Sequence, residues 1–154
     1  MTDAPRPALT DAPARKALGQ HFLFDPSILH RAATAAGPVK DRVVIEVGPG
    51  PGGLTRALLD EGAGTVIAVE TDPRFAEALT LWPEAKDGRL IVIQKDARKV
   101  NFEKLVEQAG ATQPAMVIAN LPYNVGTPLL VGWLKAGDWR GEMALMFQKE
   151  VAER

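Results

Sequence analysis

Five short apolar segments, separated by segments with helical periodicity, constrain the fold of this chain more than any other feature. The apolar segments are predicted strands with the boundaries Val43–Val47, Thr65–Val69, Leu90–Ile93, Ala115–Ala119 and Met143–Phe147. Strands that are apolar throughout are typical of parallel sheets, because both faces of such sheets are buried. Parallel strands connected through helices form right-handed βαβ units. The sequence therefore predicts an α/β fold with one doubly wound parallel sheet.

Polar residues followed by proline predict where several helices begin. Asp25-Pro26 and Asp72-Pro73 each combine an N-cap with a proline at the first helical position, and Asn101 is a further N-cap. By the same argument, Thr127-Pro128 is predicted to begin a helix that continues to Lys135. These starts place one helix before the first strand and one after each of the second, third and fourth strands.

Composition bounds the remaining possibilities. The chain has 154 residues, enough for one domain, and we expect a single folded domain over 17–154. Because the first residues show no periodic apolar pattern, we expect a flexible tail over residues 1–16. The chain has 18 lysine and arginine residues and 19 acidic residues. This balance gives no indication of nucleic-acid binding from overall charge, but it permits a local basic patch. The chain has no cysteine, and its two histidines, His21 and His30, form no convincing metal site. Without an apolar run of about 20 residues, we expect a cytoplasmic protein with no membrane contact.

A glycine-rich loop directly follows the first predicted strand. Residues 46–53 read Glu-Val-Gly-Pro-Gly-Pro-Gly-Gly, and glycines there allow a close approach of the backbone to a ligand. Gly48, Gly50 and Gly53 also match the dinucleotide pattern G-x-G-x-x-G, so an NAD-dependent oxidoreductase is an open alternative. The two prolines of the loop, however, lack N–H groups that a pyrophosphate would use. A ligand without phosphate, such as S-adenosylmethionine, fits this loop better.

Acidic residues stand at the ends of the next two strands. Glu70 ends the second strand, and its carboxylate can accept hydrogen bonds from both hydroxyls of a ribose. Asp96 follows the third strand and is predicted to accept the exocyclic N–H of an adenine, the alternative being a cap of the turn at Ala97-Arg98. Carboxyl ends of parallel strands meet at one edge of a sheet, so the loop and both acids are predicted to form one cofactor site.

The segment Asn120-Leu121-Pro122-Tyr123 follows the fourth strand and predicts a site that methylates an amino group. The lone pair of an adenine or amide nitrogen is conjugated, so such a site should accept hydrogen bonds from the NH₂ group and leave its lone pair directed at the methyl group. The side-chain oxygen of Asn120 and the carbonyl of Leu121 are predicted to be these acceptors. Tyr123 is predicted to stack on the base. The alternative is a β-turn with a buried tyrosine.

These motifs, with Gln20–Leu23, Asn124–Pro128 and Phe147–Ala152, resemble those of the ribosomal RNA adenine N6,N6-dimethyltransferases of the KsgA type. The resemblance runs from about Ala17 to the last residue. It implies a Rossmann-like methyltransferase fold with the strand order 3-2-1-4-5 and S-adenosylmethionine as methyl donor. The implied acceptors are two adjacent adenines in a small-subunit rRNA hairpin, with the small ribosomal subunit as partner and ribosome maturation as the role.

The resemblance also implies which residues line the cofactor site. By position these are His21, Leu23, Gly48, Glu70, Asp96 and Asn120. His21 stands where many members have asparagine, and both side chains can form hydrogen bonds. A non-catalytic RNA-binding assembly factor on the same scaffold remains an alternative.

The family pattern extends past the fifth strand. Members continue with two further strands and a small helical domain, so we expect a truncated chain with an incomplete sheet. The open edge of the fifth strand is predicted to promote self-association and to leave little methyltransferase activity.

Overall fold

The computed structural model describes residues 25–121 and 123–147, with side chains for all of these except 123–127 and 147. The helices are α1 (Pro26–Ala33), α2 (Gly53–Asp60), α3 (Pro73–Thr80), α4 (Pro83–Lys86), α5 (Phe102–Gln108) and α6 (Tyr123–Leu134), with a 3-10 helix over Ala97–Lys99. The strands are β1 (Val43–Val47), β2 (Thr65–Glu70), β3 (Leu90–Gln94), β4 (Ala115–Leu121) and β5 (Arg140–Phe147). The predicted tail over residues 1–16 and a helix predicted after Lys149 lie outside the described residues.

The five strands form one parallel sheet in the order β3-β2-β1-β4-β5, which confirms the predicted order. The central strand is β1, and its Val44 is paired with Val66 on one side and with Met116 on the other. The order reverses direction between β1 and β4. Such a switch point opens a crevice at the carboxyl edge of the sheet, where ligands bind in α/β folds.

Helices cover both faces of the sheet, as the doubly wound prediction requires. On one face α1, α2 and α3 pack against residues such as Val44 and Ile118. On the other face α5 and α6 pack against residues such as Ile45 and Val117. Burial of each of these aliphatic side chains contributes about 1.5–3 kcal/mol. The strands are therefore apolar on both faces because each face supports its own core.

Most predicted boundaries agree with the structure to within a residue. The side chain of Asp25 accepts hydrogen bonds from the N–H groups of Ser27 and Ile28, and that of Asp72 accepts one from Arg74. Asn101 likewise accepts the N–H of Lys104. These three N-cap predictions are confirmed.

The boundaries near the end of the described chain differ from the prediction. β4 continues through Asn120 and Leu121, because the parallel ladder to β5 extends past Ala119, where the uninterrupted apolar run ends. The predicted start of the last helix is wrong: α6 begins at Tyr123 and contains Pro128 as its sixth residue. A proline there costs one i→i−4 hydrogen bond, which this helix tolerates. β5 begins at Arg140, three residues earlier than predicted, and the short helix α4 was not predicted.

Candidate functional site

The glycine loop makes a turn that brings β1 against the end of β4. Gly48, Gly50 and Gly52 have φ values of 80°, 53° and 95°, a region that other residues rarely adopt. A Cβ added to Gly48 would lie 2.6 Å from the backbone oxygen of Asn120. Only glycine therefore allows these backbones to approach so closely. The structure brings Gly48 and Asn120 together, as the predicted site requires.

The other side of the loop rests on an aromatic support that the sequence did not indicate. A Cβ on Gly52 would lie 2.7 Å from the ring of Trp82. The guanidinium of Arg56 lies 4.5 Å from the centre of the same ring and donates to both carboxylate oxygens of Glu84 at 2.7 and 3.1 Å. This pairing lowers the pKa of Glu84 to about 2. The support therefore links the loop and α2 to α4 through charged and aromatic contacts.

Glu70 lies beside the loop and is held by backbone groups. Its Oε1 accepts the N–H of Gly50 and its Oε2 accepts the N–H of Asp72, both at 2.9 Å. The residue is 8% exposed. Each carboxylate oxygen can accept more than one hydrogen bond, so both oxygens keep capacity for a ligand. The predicted ribose-binding acid is thus oriented by the same loop that was predicted to approach the cofactor.

The groups beside the glycine loop suit a nucleoside in their chemistry. A Cβ on Gly50 would meet no atom within 4 Å, so the surface of the loop is open at this residue. Its N–H is already bonded to Glu70, which leaves shape and the carboxylate as the means of recognition. A ligand with ribose hydroxyls and no phosphate at the loop suits these groups.

Asp96 follows β3 and is already bonded within the protein. Its Oδ1 accepts the N–H of Arg98 at 2.9 Å, and its carboxylate accepts further hydrogen bonds from the Arg98 guanidinium, the shortest 2.7 Å. The Arg98 side chain lowers the pKa of Asp96 to about 2. The capping alternative for Asp96 is therefore confirmed. Its contact with an adenine stays a prediction, and that contact has to coexist with Arg98 or displace it.

The predicted methylation residues lie where β4 passes into α6. Asn120 and Leu121 are the last two residues of β4, and Tyr123 is the first residue of α6. The backbone of Asn120 and the side chain of Leu121 lie beside Gly48 of the glycine loop. The side chain of Tyr123 and the residues His21 and Leu23 lie outside what the structure describes.

Glu46 is a buried acid for which the sequence indicated no role. It lies within β1, is 1% exposed, and its Oε1 accepts a hydrogen bond from the hydroxyl of Thr55 at 2.5 Å. Burial raises the pKa of Glu46 to about 7, against the opposing effect of the Thr55 bond and with a contribution from the charge of Glu70. The signal was an acid inside an otherwise apolar strand. Its neighbours are the loop and Glu70, so its protonation belongs to the electrostatics of the site.

No helix among residues 25–121 and 123–147 is long and apolar enough to cross a membrane. In the same part of the chain, no three histidine or acidic side chains are grouped so that they could hold a metal ion.

Comparisons with known proteins agree with the geometry. The profile "Ribosomal RNA adenine dimethylase" matches residues 12–154. The chain is 54% identical over 144 residues to "Ribosomal RNA small subunit methyltransferase A" of Agrobacterium fabrum, covering 92% of this chain and 51% of that protein. It is 52% identical over 143 residues to the protein of the same name from Methylobacterium radiotolerans, covering 91% and 48%.

Solved structures show the same fold. A dimethyladenosine transferase from Plasmodium falciparum superimposes with a TM-score of 0.64 and 31% identity, covering 84% of this chain and 44% of that one. The 23S rRNA methyltransferase ErmE gives a TM-score of 0.66 and 26% identity, covering 84% and 48%. The chain spans about half the length of the curated relatives it matches. With its profile match over nearly all residues, the chain belongs to the ribosomal RNA adenine dimethylase family.

Proposed function

We propose that this chain carries the cofactor site and the methylation site of an enzyme that dimethylates N6 of two adjacent adenines in a small-subunit rRNA hairpin. S-adenosylmethionine is the methyl donor, and the reaction takes place in the cytoplasm, where it supports ribosome maturation. The observation that carries the proposal is the Glu70 carboxylate, held by the N–H groups of Gly50 and Asp72 beside the contact between Gly48 and Asn120. Membership of the family supports the same reaction.

Residues at three strand ends would hold the cofactor. Glu70 accepts the two ribose hydroxyls through charge-assisted hydrogen bonds, while Gly48 and Gly50 allow the close approach of the backbone. Asp96 accepts the exocyclic N–H of the adenine. His21 and Leu23 close over the methionine end, a role that rests on the resemblance of their motif.

The chemistry requires positioning rather than a nucleophilic side chain. Bound S-adenosylmethionine supplies an electrophilic methyl group on its sulfonium. The side-chain oxygen of Asn120 and the carbonyl of Leu121 accept hydrogen bonds from the target amine, which directs the nitrogen lone pair toward that methyl group. Tyr123 stacks on the extruded base, since enzymes that modify bases take them out of the helix. Most of the rate enhancement then comes from orientation.

Titration calorimetry tests the cofactor half of the proposal. The chain should bind S-adenosylmethionine and S-adenosylhomocysteine, and it should not bind NADH. Binding of NADH alone would support the oxidoreductase alternative and contradict the proposal.

Transfer of labelled methyl groups to small ribosomal subunits tests the catalytic half, using the complete protein. Asn120→Ala should lower turnover by about 100-fold or more, because the amine loses an orienting acceptor. Tyr123→Phe, which keeps the aromatic ring, should retain most of the activity that Tyr123→Ala loses. A complete protein that binds the cofactor but transfers no methyl group would favour the non-catalytic assembly factor.

A further inference from the structure

A groove with a basic rim lies beside the candidate site, between the end of β3 and α5. Its volume is about 460 Å³, and its apolar floor includes Ile93, Val100 and Leu105. Three exposed lysines line it, namely Lys95, Lys99 and Lys104. The groove is therefore apolar below and cationic at its edge, a combination that suits an anionic chain with sugar and base surfaces.

Backbone contacts fix the positions from which the three lysines project. The N–H of Lys95 donates to the carbonyl of Glu70 at 3.0 Å, and the N–H of Lys99 donates to the carbonyl of Asp96 at 2.9 Å. The N–H of Lys104 donates to the side chain of Asn101 at 3.1 Å. The first two contacts tie the groove to the two acids of the proposed cofactor site. The lysines thus stand on ordered element ends and not on a long loop.

The charge of this region departs from that of the whole chain. Residues 95–104 contain four basic and two acidic residues, whereas the chain has 18 and 19. Arg98 is paired with Asp96. Within the described part of the chain, no carboxylate lies within 4.0 Å of the ammonium groups of the three lysines. Among the described residues, no direct ion pair therefore neutralises their charges.

We propose that this lysine groove binds backbone phosphates of the RNA whose adenine enters the methylation site. The inference rests on the proposed function, because the adjoining methylation site identifies RNA as the anion that reaches the groove. Phosphate neutralisation by lysine supplies most of the salt-dependent affinity of RNA-binding proteins, and an apolar floor accommodates sugars and bases between the phosphates. The groove thus extends the RNA contact from β4 across to the β3 edge of the sheet.

A charge-matched pair of triple variants tests the groove. K95Q/K99Q/K104Q removes its three positive charges, and K40Q/K86Q/K135Q removes three from exposed lysines elsewhere. The probe is an RNA hairpin with two adjacent adenines in its loop, titrated from 50 to 300 mM salt. The groove variant should bind about tenfold more weakly at the lowest salt, and its log–log salt slope should be shallower by about 2 to 3. The control should retain nearly the wild-type slope. Equal effects of both variants, or no RNA binding by the wild-type chain, overturn the proposal.

Acetylation footprinting identifies the contact without any assay of activity. In wild-type protein, the hairpin should protect the three groove lysines and leave Lys40, Lys86 and Lys135 reactive. A polyglutamate of equal length that protects the groove at a lower concentration than the hairpin would assign it to an acidic protein and overturn the RNA assignment. Calorimetry with S-adenosylmethionine separates the two hypotheses: a groove variant with normal cofactor affinity and normal RNA affinity contradicts the groove alone, whereas wild-type protein without cofactor affinity contradicts the proposed function.

Discussion

Glu70 and Asp96 occupy corresponding places at the ends of neighbouring strands, but the protein holds them in different ways. Each carboxylate accepts the N–H of the residue two positions ahead, Asp72 in one case and Arg98 in the other. The second oxygen of Glu70 is bonded to the backbone of Gly50, whereas that of Asp96 is bonded to the guanidinium of Arg98. Backbone holds Glu70 in one orientation, while a side chain that can rotate away holds Asp96. The end of the site that we propose for the ribose is therefore preorganised more firmly than the end proposed for the adenine.

The largest expected effect concerns the backbone of the glycine loop that holds Glu70. Gly48→Ala should lower the free energy of unfolding by about 4 kcal/mol, because the added Cβ lies 2.6 Å from the Asn120 carbonyl oxygen and φ is 80°. Gly50→Ala is the matched control: φ is also positive, but the Cβ meets no atom within 4 Å, so the loss should be about 1 kcal/mol. Urea unfolding measures both. Similar losses would show that the close contact between β1 and β4 is not rigid.

The second effect is a pH dependence of the free energy of unfolding, which originates at the buried acid Glu46. Folding raises the pKa of Glu46 from 4.5 to about 7, so between these values the folded chain binds more protons than the unfolded chain. Stability should therefore fall as the pH rises through this window, by about 3 kcal/mol for this group.

Glu46→Gln should remove this pH dependence, while Glu77→Gln at an exposed position should retain it. Because the charge of Glu70 contributes to the raised pKa, Glu70→Gln should move the window to lower pH. A wild-type profile between pH 4.5 and 7 that equals that of Glu46→Gln would contradict the assignment. Urea unfolding at a series of pH values supplies the measurement.

The third effect compares the acids directly. Glu70→Ala should weaken S-adenosylmethionine binding by about 2 kcal/mol or more, roughly 30-fold in Kd, because the ribose hydroxyls lose a fixed charged acceptor. Calorimetry on the chain gives the value, and circular dichroism checks that the variant is folded. Unchanged affinity in a folded variant would remove Glu70 from the site.

The smallest expected effect concerns Asp96, which is held in part by the side chain of Arg98. Asp96→Ala should raise the Kd for the cofactor by only about fivefold, because Asp96 has to share its carboxylate with Arg98. Arg98→Gln should leave Asp96 free and tighten binding by about twofold to fivefold. If Asp96→Ala weakens binding as much as Glu70→Ala does, the two ends of the site are equally preorganised.

The sequence predicted the parallel sheet because strands buried on both faces carry a strong local signal. The strand order followed only from the resemblance of its motifs to those of a known family. The sequence also predicted the caps at Asp25, Asp72 and Asn101, because each cap is a contact between near neighbours in the chain. Local patterns failed where polar residues continue an element, as Asn120 does in β4. There, pairing with β5 decides the boundary, and this pairing is a tertiary contact.

The sequence predicted which residues form the candidate site, but it did not predict the hydrogen bonds that hold them. Glycines and acids at strand ends indicated which positions meet at the carboxyl edge. Nothing local indicated that Gly52 rests on Trp82, because these residues are far apart in the chain. The sequence left open whether Asp96 binds a ligand or caps the following turn. Its hydrogen bonds with the backbone and guanidinium of Arg98 became clear only from the directions of the side chains.

The pairing of β1 with β4 has a consequence for folding during synthesis. Val44 and Met116 are neighbours in the sheet but are separated by about 70 residues in the chain. During synthesis, β1, β2 and β3 leave the ribosome first, and Asn120 cannot reach Gly48 until β4 has followed. The nascent half-sheet therefore has Glu70 but no finished pocket. Because the proposed site needs residues of β4, ligand binding then reports that β4 has docked, and a bound cofactor stabilises only chains that have reached this stage.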